Sequence, residues 1–292
     1  MIQIPHIIAC PVCGQSLSND NKRWLCPDGH SFDQARQGYL NLLMAQHKKS
    51  KAPGDTIEMV DARQRILESK LYQPISDLLN QWVSEIALNS EQPLQLADIG
   101  CGEGYYTERL HQSLTDHLVE HHIYGVDISK DALRRAAKRS KSIHWLVASG
   151  GQLPFLPQQL DIIISLFTIL MPQGFSKVLK PNAPVVLINT GADHLIELRE
   201  IIYENVKSKV LDPNVTMQAH GYHLSAEQRL KYKTKLNSSE QIIDLLQMTP
   251  HWWRIQPSAL AKIKALNELE ITVDINLHQF TLGESLQERS IE

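Results

Sequence analysis

Between residues 94 and 189 the sequence alternates short apolar segments with stretches of helical periodicity, and this alternation constrains the fold more than any other feature. Helical stretches follow the first, second, fourth and fifth apolar segments, a pattern typical of βαβ units on a parallel sheet. Two later extended stretches, near 222–236 and 270–282, are expected to close the sheet with a hairpin. Seven strands in an α/β architecture are therefore predicted. The five apolar segments are 94–99, 122–127, 143–148, 160–167 and 184–189.

Three of the four cysteines lie within the first 26 residues and are followed closely by a histidine. The pattern is Cys10-Pro-Val-Cys13, twelve further residues, then Cys26 and His30. Two ligands separated by two residues can face one ion from a single tight turn, and four ligands complete the tetrahedral coordination of Zn²⁺. Disulfides are not expected among these three N-terminal cysteines, because three is an odd number and the compartment is expected to be reducing. The segment predicts a structural zinc site, because the protein fills all four positions and leaves none for water.

The chain is expected to divide into three parts. Residues 1–40 form a zinc-binding ribbon, residues 41–92 a basic loop with a helical linker, and residues 93–292 the large α/β domain. The linker shows apolar residues at helical spacing, which predicts two helices broken near Pro74.

Net charge and hydropathy limit the ways in which the protein can bind nucleic acid or a membrane. A net charge of −3 gives no general attraction to nucleic acid, so any such surface must be local. One basic cluster, His47 to Lys51, has the composition of a loop that can reach a phosphate backbone; for a second, Arg134 to Lys141, a solvated helix face is favoured. No apolar run approaches the ~20 residues that cross a bilayer, and no secretory signal is recognisable. We expect a cytoplasmic protein without a membrane segment.

Two predicted turns carry the ligand chemistry, since an open α/β sheet binds ligands at the carboxyl ends of its strands. The first runs from Asp98 to Gly104, with glycines at 100, 102 and 104 that let the backbone fold tightly beneath a ligand. The second places Asp127 at a strand end, where its carboxylate can accept both hydroxyls of a ribose. Together these turns resemble the class I (Rossmann-like) S-adenosylmethionine-dependent methyltransferases rather than nicotinamide enzymes, whose turn reads Gly-x-Gly-x-x-Gly.

A narrower resemblance extends from about residue 10 to residue 280. In order and spacing, many short motifs are similar to those of the 23S rRNA (guanine-N1)-methyltransferases, which join a zinc ribbon to a methyltransferase domain. The resemblance implies methylation of a guanine in a 23S rRNA hairpin, and it is closest to the branch that acts at guanine 745. The motifs are Cys10-Pro-Val-Cys-Gly, Cys26-Pro-Asp-Gly-His-Ser-Phe-Asp, Gly38-Tyr-Leu-Asn-Leu-Leu43, Gln46-His-Lys-Lys-Ser50, Pro53-Gly-Asp, Leu71-Tyr-Gln-Pro74, Asp98 to Thr107, Leu153-Pro-Phe155 and Leu246-Gln-Met-Thr-Pro250.

The resemblance also assigns site residues. It places zinc on the three N-terminal cysteines and His30, and cofactor contacts on Tyr72, Gly102, Glu103 and His194. Turn chemistry adds Asp98, Gly100 and Asp127 to the cofactor site. A homodimer is implied as well, for which the sequence shows no feature of its own.

The sequence departs from the methyltransferase pattern after the fourth strand. The run is Ser165-Leu-Phe-Thr-Ile-Leu-Met-Pro172, with Ile169 where many N-methyltransferases place a proline that helps to hold the target base. Two alternatives therefore stay open: a class I methyltransferase with another RNA or substrate, and an RNA-binding zinc protein whose methyltransferase domain is weakened. Phe167, Trp252 and Trp253 are candidates to stack on an extruded base, and the sequence does not identify a general base.

Overall fold

The computed structural model describes residues 7–44, 54–88, 90, 92–206 and 212–283. The basic loop residues Lys48, Lys49 and Lys51 lie outside the described residues. The strands are β1 (Ser18–Asp20), β2 (Arg23–Leu25), β3 (Ser31–Asp33), β4 (Leu40–Asn41), β5 (Leu94–Ile99), β6 (His121–Asp127), β7 (His144–Val147), β8 (Ile162–Leu166), β9 (Val185–Thr190), β10 (Tyr222–Leu236) and β11 (Leu269–Leu282). The helices are α1 (Ile57–Glu68), α2 (Gln73–Ala87), α3 (Tyr105–Asp116), α4 (Lys130–Arg139), α5 (Phe175–Val178), α6 (Ile196–Ile202), α7 (Pro213–Gln218), α8 (Ser239–Gln247) and α9 (Pro257–Lys264).

The large sheet has the strand order β10-β11-β9-β8-β5-β6-β7-β4. The central strands are parallel, whereas β11 runs antiparallel to β9 and pairs with β10 as a long hairpin. This order, with one antiparallel hairpin strand inserted beside β9, is that of the class I methyltransferase fold. The strand order reverses between β5 and β8, so the ligand-binding crevice is expected at the carboxyl ends of these two strands. All seven predicted strands are present.

An eighth strand, β4, was not predicted. Leu40 and Asn41 pair in parallel with Leu146 and Val147 of β7. Leu42 continues the ladder, because its N–H donates to the Val147 carbonyl at 2.9 Å. Two residues are too few to show an alternating pattern, so this strand has no signal in the sequence.

The two helices expected between residues 56 and 89 are confirmed as α1 and α2. Pro74 lies in the first turn of α2, where a missing N–H costs no hydrogen bond. Apolar side chains of both helices are buried in the same hydrophobic cluster as the strands of the large sheet; they include Ile66, Leu67, Ile75, Leu79 and Val83. These helices are therefore a covering layer of the large sheet and not a free linker.

The ribbon, a three-stranded sheet of β1 to β3, also packs on the large domain. The Ala9 N–H donates to the Pro154 carbonyl at 2.9 Å, and the Leu156 N–H donates to the Ile7 carbonyl at 2.8 Å. Ile8 and Leu17 share a second hydrophobic cluster with residues of β5, β6 and β8. The ribbon and the sheet thus have one continuous core at this face.

The basic residues of α4 bind acidic residues of the same chain. Arg135 pairs with Asp61, and Arg139 pairs with Glu68 at 3.2 Å, which fixes α4 against α1. Arg134 pairs with Asp131 within α4 at 2.9 Å. Arg135 and Arg139 thus stabilise the contact between α4 and α1, whereas the sequence favoured a solvated helix face for this cluster. No helix in the described ranges has the length and apolar character to span a bilayer.

Candidate active site and metal centre

The four predicted zinc ligands come together in the ribbon. The ligand atoms of Cys10, Cys13, Cys26 and His30 all lie within 4.8 Å of one another. The Cys13 and Cys26 sulfurs are 3.6 Å apart, and the His30 Nδ1 is 3.2 Å from the Cys26 sulfur. Three sulfurs and one imidazole nitrogen at this separation form a donor set for tetrahedral Zn²⁺, and with no fifth group required the ion is structural.

Backbone amides support this centre. The Val12 N–H points at the Cys10 sulfur at 3.4 Å, and the His30 N–H points at the Cys26 sulfur at 3.3 Å. Gly14 and Gly29 adopt φ values of 76° and 82°, in the left-handed region that favours glycine. Such N–H groups stabilise thiolates, because they offset part of the negative charge on sulfur.

The glycine turn after β5 has the conformation that its sequence predicts. Gly100, Gly102 and Gly104 all have positive φ, between 58° and 82°. A Cβ on Gly104 would lie 2.6 Å from the ring of Trp145, so only glycine fits there. By contrast, a Cβ on Gly102 would meet nothing closer than the Arg63 guanidinium at 3.9 Å. The Gly102 face of the turn is therefore open enough to receive a ligand.

Asp127, at the end of β6, is oriented by backbone amides. Its Oδ2 accepts the Gly102 N–H at 2.9 Å, and its Oδ1 accepts the Ser129 N–H at 2.7 Å. The carboxylate thus ties the second turn to the glycine turn, a role that the sequence did not suggest. Each oxygen keeps a further lone pair, so the predicted contact to ribose hydroxyls stays chemically available.

Two buried carboxyl groups, Asp98 and Glu103, flank the turn. Asp98 accepts a hydrogen bond from the Thr107 hydroxyl at 2.6 Å through Oδ2, whereas its Oδ1 has no hydrogen-bond partner among the described residues. The Glu103 Oε1 is likewise buried without a hydrogen bond, although it lies 3.8 Å from the Arg139 Nη2 in an ion pair. Burial raises the pKa of Asp98 to about 7 and also raises the pKa of Glu103. Orphaned acceptor atoms at this depth fit a cationic ligand group such as the ammonium or sulfonium of S-adenosylmethionine.

The structure brings together Tyr72 and His194, which are separated by 122 residues in the chain. The tyrosine hydroxyl lies 3.4 Å from the His194 Nε2, and the rings stack with centroids 6.1 Å apart. The Asp274 N–H donates to the His194 Nδ1 at 3.3 Å, which leaves the imidazole proton on Nε2. Burial lowers the pKa of His194 to about 4, so this histidine is neutral near pH 7.

Sequence reasoning missed three residues that line the same crevice. Tyr106 lies beside Phe167 with ring centroids 6.3 Å apart, Thr168 is 2.8 Å from the position of a Cβ on Gly100, and Arg63 faces Gly102. Tyr106 lies within the Asp98–Thr107 motif and Thr168 within the altered run after the fourth strand, but neither had an assigned role, because their contacts arise only when separate segments pack. Arg63 belongs to a helix that the sequence presented as a linker.

The candidate stacking residues differ in exposure. Phe167 follows β8 with a φ of 53°, and 43% of its surface is exposed; Ile169 is 81% exposed. Trp253 is 65% exposed, whereas Trp252 packs partly against the hydrophobic core. Cys101 is buried, and burial raises its pKa well above the usual thiol value, as expected for a packing residue.

Comparisons with known proteins agree with this geometry. The family model described as “RlmA, N-terminal” matches residues 8–51, and the “Methyltransferase domain” model matches residues 96–185. A Bacillus subtilis (strain 168) protein named as a 23S rRNA (guanine-N1)-methyltransferase is 29% identical, over 92% of this chain and 94% of its own length. A Micromonospora griseorubida protein with the same naming is 28% identical over 95% and 97% of the two chains.

A further relative is the 23S rRNA (guanine(748)-N1)-methyltransferase of Streptomyces fradiae, which is 27% identical over 92% of this chain and 95% of its own. All three relatives thus match nearly end to end, across ribbon, helical layer and sheet. The Cys₃His cluster lies within the first family match, and the glycine turn and Asp127 lie within the second. The chain accordingly has the class I methyltransferase fold and carries an RlmA-type zinc ribbon ahead of an S-adenosylmethionine-dependent methyltransferase domain.

Proposed function

We propose that this chain transfers a methyl group from S-adenosylmethionine to N1 of a guanine in a 23S rRNA hairpin, at position 745. The observation that carries the proposal is the combination of the Cys₃His ribbon and the open glycine turn in one continuous core. Relatives named for guanine-N1 methylation of 23S rRNA match over 92–95% of this chain, which supports the substrate class.

In this proposal, seven residues hold the cofactor. The turn residues Gly100 and Gly102 give it a close approach to the backbone, and Asp127 accepts its ribose hydroxyls. Asp98 offers its unpartnered oxygen to a cationic group of the cofactor, Glu103 adds negative charge beside Arg139, and the Tyr72–His194 pair gives further contacts. The bound cofactor supplies an electrophilic methyl group, and these residues fix its direction relative to the incoming base.

The target base must be exposed, because N1 of guanine is blocked in a paired stem. Phe167 and Ile169 present apolar surface beside the glycine turn, where they can pack on an extruded guanine. The proton on N1 must also leave during transfer.

The test is methylation mapping of 23S rRNA from a strain that lacks this protein, with and without the purified protein added back. Methylation at N1 blocks base pairing, so reverse transcriptase should stop immediately before guanine 745 only when the protein is present. Nucleoside analysis should find one N1-methylguanine per rRNA. The Asp127→Ala variant, which loses the predicted ribose contact, serves as the inactive control.

Other outcomes separate the alternatives. A stop at guanine 748 would keep the activity but move the target to the position named for the S. fradiae relative. A stop in another RNA would reject 23S rRNA as the substrate. Cofactor and RNA binding without any transfer would indicate a weakened methyltransferase domain. The implied homodimer is tested by light scattering of the free protein.

A further inference from the structure

Helix α1 uses most of its charged residues to hold its own position. Three of them form ion pairs with α4 and α8, and these pairs fix the helix across the open edge of the glycine turn. A fourth charged residue, Arg63, lies on another side of α1 and forms no ion pair with α4 or α8 in the described residues. The three fixing pairs are Arg65–Asp244, Asp61–Arg135 and Glu68–Arg139.

Arg63 is directed at the cofactor side of the turn. Its Nη1 is the atom nearest to the position of a Cβ on Gly102, at 3.9 Å. In the described part of the chain its ion-pair partner is Asp55, and both side chains are about one-third exposed or less. Asp55 follows Gly54, and a Cβ on Gly54 would lie 2.8 Å from Ser129, next to the second ligand turn. Arg63 and Asp55 thus stand at the entrance shared by both turns.

The charges around Gly102 complement a zwitterion. On one side are two buried carboxyl groups. The Asp98 Oδ1 has no hydrogen-bond partner in the described residues, whereas the Glu103 Oε1 lies 3.8 Å from the Arg139 Nη2 in an ion pair. On the other side is the Arg63 guanidinium, whose charge lowers the pKa of both Glu103 and Asp127 against the effect of burial. The nearby Arg139 is already engaged, because it donates to the Glu103 carbonyl and to Glu68. Arg63 keeps donor capacity, since a guanidinium has five N–H groups.

We propose that Arg63 binds the α-carboxylate of S-adenosylmethionine, while the Asp98 Oδ1, which has no hydrogen-bond partner in the described residues, accepts its α-ammonium group. The inference rests on the cofactor of the proposed function and adds a binding residue that the sequence did not indicate. A carboxylate is the one anionic group of this cofactor, and charge-assisted pairs between guanidinium and carboxylate are among the strongest hydrogen bonds in proteins. Arg63 would therefore select cofactors that carry a complete amino-acid end.

The test compares two ligands that differ only in this group, S-adenosylmethionine and decarboxylated S-adenosylmethionine. Calorimetric titration of the wild-type protein should show a preference of about 10- to 100-fold for the carboxylated ligand, the range of one charge-assisted contact. In Arg63→Ala the affinity for S-adenosylmethionine should fall by most of that factor, whereas the affinity for the decarboxylated ligand should change by less than about twofold. The ratio of the two affinities is insensitive to any fraction of unfolded variant.

Arg135→Ala is the matched control, because it removes an arginine that contacts α1 but faces Asp61 and not the turn. This variant should keep the wild-type ratio. Equal loss of both ligands in Arg63→Ala would show that Arg63 only positions α1, and an unchanged ratio would place the carboxylate elsewhere; either result overturns the proposal. RNA is absent from the titration, so a wrong rRNA target would leave the result intact. Failure of the wild-type protein to bind either ligand would overturn the cofactor assignment together with this one.

Discussion

Two neighbouring glycines of the same turn should respond to alanine in opposite ways. Gly104→Ala places a Cβ 2.6 Å from Trp145, a ring that is buried in the core, and 3.1 Å from the Cβ of Ala136. Gly102→Ala places its Cβ in open space near Arg63. Both positions have positive φ, so both substitutions carry the same kind of backbone strain. The pair therefore separates packing in the core from access to the cofactor face.

The magnitudes follow from these contacts. Left-handed backbone costs an alanine about 1–2 kcal/mol relative to glycine, and overpacking a well-filled core adds about 1–3 kcal/mol. Gly104→Ala should thus lose about 2–5 kcal/mol of unfolding free energy, and Gly102→Ala about 1–2 kcal/mol. For a chain of this size the Tm should fall by about 5–15 °C in the first variant and about 2–6 °C in the second.

Thermal unfolding followed by circular dichroism measures the stability of each variant. Titration with S-adenosylhomocysteine, at a temperature well below both unfolding transitions, measures the affinity for the cofactor site. Gly104→Ala should bind the ligand within a few-fold of the wild-type affinity, because its added methyl group points into the core. Gly102→Ala should bind at least tenfold more weakly, because its methyl group occupies the open face of the turn. A reversed order of the two Tm values, or wild-type affinity in Gly102→Ala, would refute this interpretation of the turn.

Three further predictions concern other parts of the molecule. Burial lowers the pKa of His194 to about 4, so between about pH 6.5 and pH 4 the unfolded chain binds one more proton than the folded chain. The free energy of unfolding should therefore fall as the pH drops through that window. Urea unfolding should show a smaller fall in His194→Asn. Cys10→Ser should release the zinc, a loss of about 10 kcal/mol of metal-linked folding energy. Because the ribbon shares its core with the sheet, the whole chain should still melt in a single transition, at a lower Tm. A separate early transition with an unchanged Tm for the sheet would contradict the shared core. Trp253→Ala should weaken binding of the rRNA hairpin by about 1–3 kcal/mol if a base stacks on this ring, whereas Leu118→Ala, also highly exposed, should leave it unchanged in a filter-binding assay.

Local signals predicted most of the architecture. Five strands of the large sheet are short apolar segments with clear boundaries, and two more are extended stretches near the end of the chain. The zinc ligands lie within 21 residues in a spacing that one turn at each end can satisfy. The glycine turn likewise carries its conformation in its own residues. These features can be predicted from local sequence because they do not depend on contacts with distant segments.

The features that the sequence did not reveal depend on contacts between distant segments. Tyr72 had no local signal and entered only through the family resemblance; its partner His194 lies on another element. Arg63 faces the turn because α1 packs over it, and Arg135 and Arg139 of α4 pair with acidic residues of α1. Helical periodicity predicts that α1 has an apolar face, but it does not say which sheet that face covers.

The parallel pairing of β4 with β7 has a consequence for the newly made chain on the ribosome. The ribbon can gather its four zinc ligands once residue 30 has emerged, but β4 cannot dock before Val147 is available. At about 5–20 residues per second, roughly 5–20 seconds separate these events. During this interval Ile7, Ile8 and Leu40, which are buried in the finished protein, face solvent or a chaperone. The zinc ribbon can thus fold first, whereas its apolar residues are among the last to be buried.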